Sequence, residues 1–185
     1  MSRGGRGDLA TKEESKNLDS KMKQACKQLK EEFSGVFDVY SKISKNKWIE
    51  YFGIKPEEIG CEPDGGLWYL NGTLVAVFEG KYQGQRGNAD ERWYKNAAIF
   101  EKIFKWYNIK GIYYTLSSGY ACRGKWRGNE ILSNNIFDMD CRWVLKEDNF
   151  TYDEILDYMR NTLNEILNKN HKPHVYPEKR GVLDV

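Results

Sequence analysis

Residues 62–96 read EPDGGLWYLNGTLVAVFEGKYQGQRGNADERWYKN, and the reading of this stretch decides the fold. Asn71-Gly72, set between LWYL and TLVAVFEGK, is a strong hairpin signal, because a type I′ turn needs positive φ at both central residues. A two-residue loop pairs Leu70 with Thr73. Counting outward from that pair brings Asp64 opposite Glu79, on one side of the sheet. Lys81, two residues beyond Glu79, points to the same side.

Directly opposed like charges destabilise a ladder, so a purely structural hairpin tends to avoid them. They make sense with a divalent cation between them. Two carboxylates suit Mg²⁺, which keeps several waters and completes its shell with phosphate oxygens. Lys81 is then placed to orient or help deprotonate an attacking water and to steady a pentavalent phosphate. Pro63 and Gly65-Gly66 can bulge or loosen the start of the strand. The alternative is a strand rim carrying solvated acids.

Downstream, Gln83 to Ala89 has small, flexible positions that let backbone approach a partner closely. Asn88 or Asp90 can cap the helix that follows, with Trp93, Ala97, Phe100, Phe104 and Tyr107 along one face and Arg92, Lys95 and Lys102 opposite. Asn108 to Gly111 end it. Asn and Gln can hydrogen-bond adenine in bidentate fashion, Arg can do so with guanine, and a helix N-terminus favours phosphate. Polar Gly-rich turns also open ordinary helices.

Working outward, residues 1–10 read as a flexible arm. From Lys12 the chain turns helical, with Leu18, Met22, Ala25, Leu29 and Phe33 forming one apolar stripe and Gly35 a stop. A second helical segment is expected through Val36, Val39, Tyr40 and Ile43, then a short helix from Ser44 to Gly53. After the central stretch, Ile112 to Leu116 reads as a strand ended by a Ser117-Ser118-Gly119 turn. The loop YACRGKWRGNEILSNN carries Arg123, Lys125 and Arg127 between Tyr120 and Trp126, which fits contact with a DNA backbone. Cys141 to Lys146 is another strand. Thr151 and Glu154 make a capping box opening a helix with Ile155, Met159, Leu163 and Ile166 on one face. Residues 170–185, with His171 and His174, form a loosely held tail.

The 185 residues suit one domain, 1–185, with enough length for a core. The composition, 40% apolar and 30% charged, is ordinary for a soluble globular protein, and the net charge of +2 gives no global basic field. Nucleic-acid affinity therefore has to come from local clusters. Four scattered cysteines, Cys26, Cys61, Cys122 and Cys141, lack the paired spacing of a zinc site and read as reduced thiols. Met1 to Lys16 has no apolar core, so no secretory signal is expected. No apolar run spans a bilayer. The expectation is a soluble, cytoplasmic protein with no membrane partner. Its fold class should be α/β, a central mixed β-sheet flanked by helices.

Three blocks resemble the type II restriction endonucleases of the EcoRI/MunI group, within the PD-(D/E)xK nuclease superfamily. Pro63-Asp64-Gly65-Gly66 resembles the group's first catalytic segment. Glu79-Gly80-Lys81-Tyr82-Gln83-Gly84 is similar to its second. Gly87-Asn88-Ala89, Glu91-Arg92 and Lys95-Asn96 are similar to the segment that reads an inner AATT. The blocks stand in the family's order and cover about a fifth of the chain. The resemblance implies a restriction-endonuclease-like core in which Asp64, Glu79 and the Gly80 carbonyl bind Mg²⁺, with Lys81 beside the water. It implies that Asn88, Ala89 and Arg92 contact the inner adenines, that Glu91 orients the arginines, that Gln83 touches the inner pairs and that Lys95 bears on phosphate. Arg86 departs from the EcoRI pattern and is similar to the Arg of the MunI Arg-Gly-Asn-Ala segment, which reads an outer guanine. That makes CAATTG the implied site, although a later guanine-reading segment of the EcoRI pattern has no counterpart here.

The expectation is therefore a homodimeric, Mg²⁺-dependent endonuclease. It would cut double-stranded DNA at a palindrome with an AATT core and leave 5′-phosphates on 5′ overhangs, with a cognate DNA methyltransferase in the host. Two alternatives remain at this point: a structure-specific repair or recombination nuclease with the same catalytic residues, and a DNA-binding protein with a vestigial site.

Overall fold

The computed structural model describes residues 5–40, 63–83, 89–119 and 129–169. In chain order the elements are α1 (Gly5–Glu32), β1 (Phe37–Tyr40), β2 (Leu67–Leu70), β3 (Thr73–Gln83), α2 (Ala89–Trp106), β4 (Ile112–Gly119), α3 (Asn129–Ile136), β5 (Asp140–Lys146) and α4 (Tyr152–Asn168). The strands form one mixed sheet in the order β1-β2-β3-β4-β5, antiparallel from β1 to β3 and parallel from β3 to β5. The protein is α/β, a five-stranded mixed sheet flanked by helices.

The hairpin forms where Asn71-Gly72 demands it. Both residues take positive φ, 51° and 75°, and Leu70 pairs with Thr73. Antiparallel neighbours need only this tight turn, whereas the parallel pairs need crossovers, which α2 and α3 supply. β3 is central and buried without alternation from Thr73 to Gly80, because helices cover both its faces. On one face, Leu18, Met22 and Leu29 of α1 and Ile155, Met159 and Leu163 of α4 pack with Phe78, Tyr114 and Leu116. On the other, Trp93, Ala97, Phe100 and Phe104 of α2 pack with Val77, Tyr113, Cys141 and Trp143.

The ends of the elements follow local chemistry. Thr151 Oγ1 accepts from Glu154 N at 3.2 Å while Glu154 Oε2 accepts from Thr151 N at 2.8 Å, the reciprocal capping box that opens α4. Arg160 of α4 donates to Glu32 of α1 through Nε (2.8 Å) and Nη2 (3.0 Å), clasping the two helices. At the β5 edge, Asn134 donates to the Cys141 carbonyl at 2.8 Å and accepts from its N–H at 2.9 Å, so one side chain stands in for a neighbouring strand.

Four expectations change. Phe37 to Tyr40 is a strand, not a helix: Phe37 and Val39 point inward in strict alternation, the pattern of a half-buried edge. Residues 5–10, read as a flexible arm, belong to α1. Ser117, Ser118 and Gly119 continue β4 instead of turning, paired on one side with Lys81, Tyr82 and Gln83. Asn129 to Ile136, read as part of a loop, forms α3. The helix expected from Ser44 to Gly53, the basic loop bearing Arg123, Lys125 and Arg127, and the tail with His171 and His174 lie outside the described residues, as do Cys61 and Cys122. Cys26 and Cys141 are buried free thiols, and burial pushes Cys26 up to about 11. Among the described residues, no helix is long and apolar enough to cross a membrane.

Candidate active site

The fold brings Asp64, Glu79, Gly80 and Lys81 to one place by a route that differs from simple counting along the hairpin. Tyr69 still pairs with Leu74, but Trp68 pairs with Ala76, so Val75 is an extra residue on β3. Val75 and Ala76 both face the α1 side, as a bulge allows. Asp64 is not a ladder residue at all. It sits inside a turn closed by Gly66 N donating to the Pro63 carbonyl at 3.1 Å.

That turn is fixed from three directions. Gly65 N donates to Phe78 O at 2.9 Å, Phe78 N donates to Gly66 O at 3.3 Å, and the buried Trp68 indole donates to Gly65 O at 2.8 Å. Only glycine fits at position 65, since a Cβ there would lie 2.4 Å from the Phe78 Cβ. Gly66 has φ +84°, a region that favours glycine. The Pro-Asp-Gly-Gly run is therefore a device that holds a carboxylate beside the strand position next to Phe78, which is Glu79.

Glu79 is buried, with a side chain 5% exposed. Its charge is matched by Lys81, whose ammonium contacts Oε1. Asn96 Nδ2 donates to the same oxygen at 3.4 Å, and Tyr113 OH donates to Oε2. A buried carboxylate is tolerable only when paired and hydrogen-bonded in this way. Burial works against the Lys81 ammonium, but Glu79 outweighs it, with help from Asp64 and Asp19, and holds its pKa above the ordinary lysine value. Lys81 is therefore a cation and hydrogen-bond donor in this structure, which favours orienting a water over deprotonating one.

Asp19 of α1 was not singled out by the sequence. It lies beside Leu18, which packs on the Gly80 backbone: a Cβ at Gly80 would lie 3.3 Å from Leu18 Cγ. Asp19 hydrogen-bonds Asp64. Burial, reinforced by Asp19 and Glu79, pushes the Asp64 carboxyl up to about 7, with Lys81 and Lys23 opposing. Burial raises Asp19 as well, with Lys23 and Lys81 opposing it. Three acids thus share a small volume with two lysines, and the acid pair holds a proton near neutrality.

The remaining expected residues divide by position. Gln83 ends β3 on the Glu79 side and is 8% exposed, with no hydrogen-bond partner for Oε1 among the described residues. Ala89 is the first residue of α2, Glu91 and Arg92 lie in its first turn, and Lys95 is exposed one turn on. Arg86, Gly87 and Asn88 lie outside the described residues. Tyr113, which the sequence reading did not single out as a site residue, pairs with Val77 in the parallel ladder and reaches one step along to Glu79. Nothing but its alternation with the α1-facing Ile112 and Tyr114 signalled that.

Among the described residues, no three His, Cys, Asp or Glu side chains form a ready-made metal cage. Asp64, Glu79 and the Gly80 carbonyl are the oxygen donors nearest such a role. No protein-family model matches the chain, and no curated protein or solved structure is significantly similar to it. The functional reading rests on the residues themselves.

Proposed function

We propose that the protein is a type II restriction endonuclease, hydrolysing phosphodiesters of double-stranded DNA at a palindrome with an AATT core, CAATTG by the Arg86 reading. The observation that carries this is the convergence of Asp64, Glu79 and Lys81 at one end of β3, with α2 and its polar, Gly-rich approach following within a few residues on the same chain.

Mg²⁺ is the cofactor that fits this donor set. A divalent cation would replace the proton that the Asp19–Asp64 pair holds near neutrality, and Mg²⁺ normally takes only one or two protein carboxylates, so a complete cage is not required. Asp64, Glu79 and the Gly80 carbonyl would hold it. When bound, it would supply Lewis-acid polarisation of the phosphate and a more acidic water. The chain's own contribution is a fixed ammonium: Lys81, pinned by Glu79, is placed to orient a water by donating to it and to offset charge on the phosphoryl oxygens. Gln83, Arg86, Gly87, Asn88, Ala89, Glu91 and Arg92 would read bases, and Lys95, Arg123, Lys125 and Arg127 would meet phosphates. A two-fold homodimer would match the palindrome and cut both strands, with a cognate methyltransferase protecting the host.

The test is a pair of substitutions. Asp64→Ala and Lys81→Ala should each abolish Mg²⁺-dependent cleavage while keeping sequence-specific binding in Ca²⁺, measured by gel shift. Cleavage retained by both variants would overturn the mechanism. Specific binding with no cleavage by the unaltered protein would instead point to a DNA-binding protein with a vestigial site.

A further inference from the structure

The acceptors of Glu79 can be accounted for atom by atom. A carboxylate offers about four lone-pair sites, two on each oxygen. Among the described residues, Oε1 accepts from the Lys81 ammonium and from Asn96 Nδ2, which fills it, whereas Oε2 accepts from Tyr113 OH and retains one open site. The three donors come from β3, α2 and β4, so the carboxylate is held from separate directions. Tyr113 is fully buried, with ring centroids 5.3 Å from Trp93 and 5.5 Å from Phe100. Its hydroxyl cannot swing away from Glu79 without disturbing the core beneath α2. Asn96 is half-buried and lies one turn along α2 from Trp93, whose indole is bonded to Thr115, the β4 neighbour of Glu79.

We infer that Tyr113 and Asn96 are positioning residues that fix the Glu79 carboxylate so that a divalent cation is ligated through Oε2 alone, on its open side. This rests on the nuclease reading above. Tyr113 sets the rotation of the carboxylate and keeps one face of Oε2 presented. Asn96 ties the same group to α2, so the ligand carboxylate and the first turn of the base-reading helix belong to one rigid unit. Partners of a ligating carboxylate in this position typically matter 10–100-fold in metal affinity.

The experiment is titration of Mn²⁺ alone into the full chain, by calorimetry, for the unaltered protein, Tyr113→Phe and Asn96→Ala. Tyr113→Phe keeps the ring and removes only the donor. Its Mn²⁺ affinity should fall about 10-fold, and with DNA and Mg²⁺ its kcat should fall with KM little changed. Asn96→Ala should show a smaller loss of the same kind, and it carries the test if Tyr113→Phe does not fold. Unchanged Mn²⁺ affinity in a folded Tyr113→Phe, or in Asn96→Ala where only that variant folds, overturns the inference and leaves the nuclease reading standing. An unaltered protein that binds no Mn²⁺ overturns both.

Discussion

The indole N–H of Trp93 donates to the Thr115 hydroxyl at 2.8 Å, with the indole fully buried and Thr115 lying next to Glu79 in the sheet. This bond joins α2 to the site at the level of its key carboxylate. Thr115→Val keeps the shape of the side chain and leaves a buried N–H without its acceptor. The expected cost is about 1–3 kcal/mol, read as a lower urea midpoint with an unchanged slope.

Asp64 gives a pH dependence with a definite sign. Burial, then Asp19, raises its carboxyl from 3.8 to about 7 in the folded state. The folded protein therefore holds a proton that the unfolded chain has released, and stability falls as pH rises from about 4 to 7. In chelator, Asp64→Asn should be more stable than the unaltered protein near pH 8, by on the order of 2–4 kcal/mol, and the gap should close near pH 4. Urea melts at the two pH values check it. Mg²⁺ should narrow the gap from the other side by stabilising the unaltered protein.

The opposite sign holds at α4. The Arg142 guanidinium, then Lys169, lowers Glu165 from 4.5 to about 2, with Arg142 Nη1 to Glu165 Oε2 at 2.6 Å. This contribution is present above about pH 4.5 and is lost as pH falls toward 2. Because the Glu165 side chain is 34% exposed, solvent screens much of it. Glu165→Gln should lose about 1 kcal/mol at neutral pH, and the loss should fade as pH drops through about 2.

Gly65→Ala tests whether the turn presents Asp64. The added Cβ lies 2.4 Å from that of Phe78, so the turn has to move away from β3. We expect about 1–3 kcal/mol of destabilisation and loss of Mg²⁺-dependent cleavage. Full activity in this variant would mean that the placement of Asp64 does not matter.

Arg86→Ala should relax discrimination at the outer base pair of the site, by ~1–3 kcal/mol for one bidentate guanine contact. Cleavage rates on substrates differing only at that pair measure it.

Much of the site was legible because single residues force backbone geometry. Asn71-Gly72 specifies its turn through φ alone, and Glu79 and Lys81 share a side whatever the pairing register. The bulge at Val75 was not legible, because in the run TLVAVF every residue is apolar and buried, so a change of parity leaves no trace in the pattern. Asp64 reached its place anyway through the Pro63–Gly66 turn. β1 was misread because Val36, Val39 and Tyr40 also fit a helical spacing, and a segment that short cannot be decided by period. Asp19 escaped notice because a carboxylate one residue off an apolar helix stripe reads as solvated. Only the packing of Leu18 against Gly80 turns it inward.

The most direct test of the central claim is digestion of a plasmid of known sequence with the purified protein and Mg²⁺, followed by sequencing of the ends. The account predicts discrete fragments whose ends all map to an AATT-core palindrome, with 5′ overhangs and 5′-phosphates, and no product from Lys81→Ala. A smear without common ends, cutting confined to branched or flapped DNA, or equal cleavage by Lys81→Ala would contradict it.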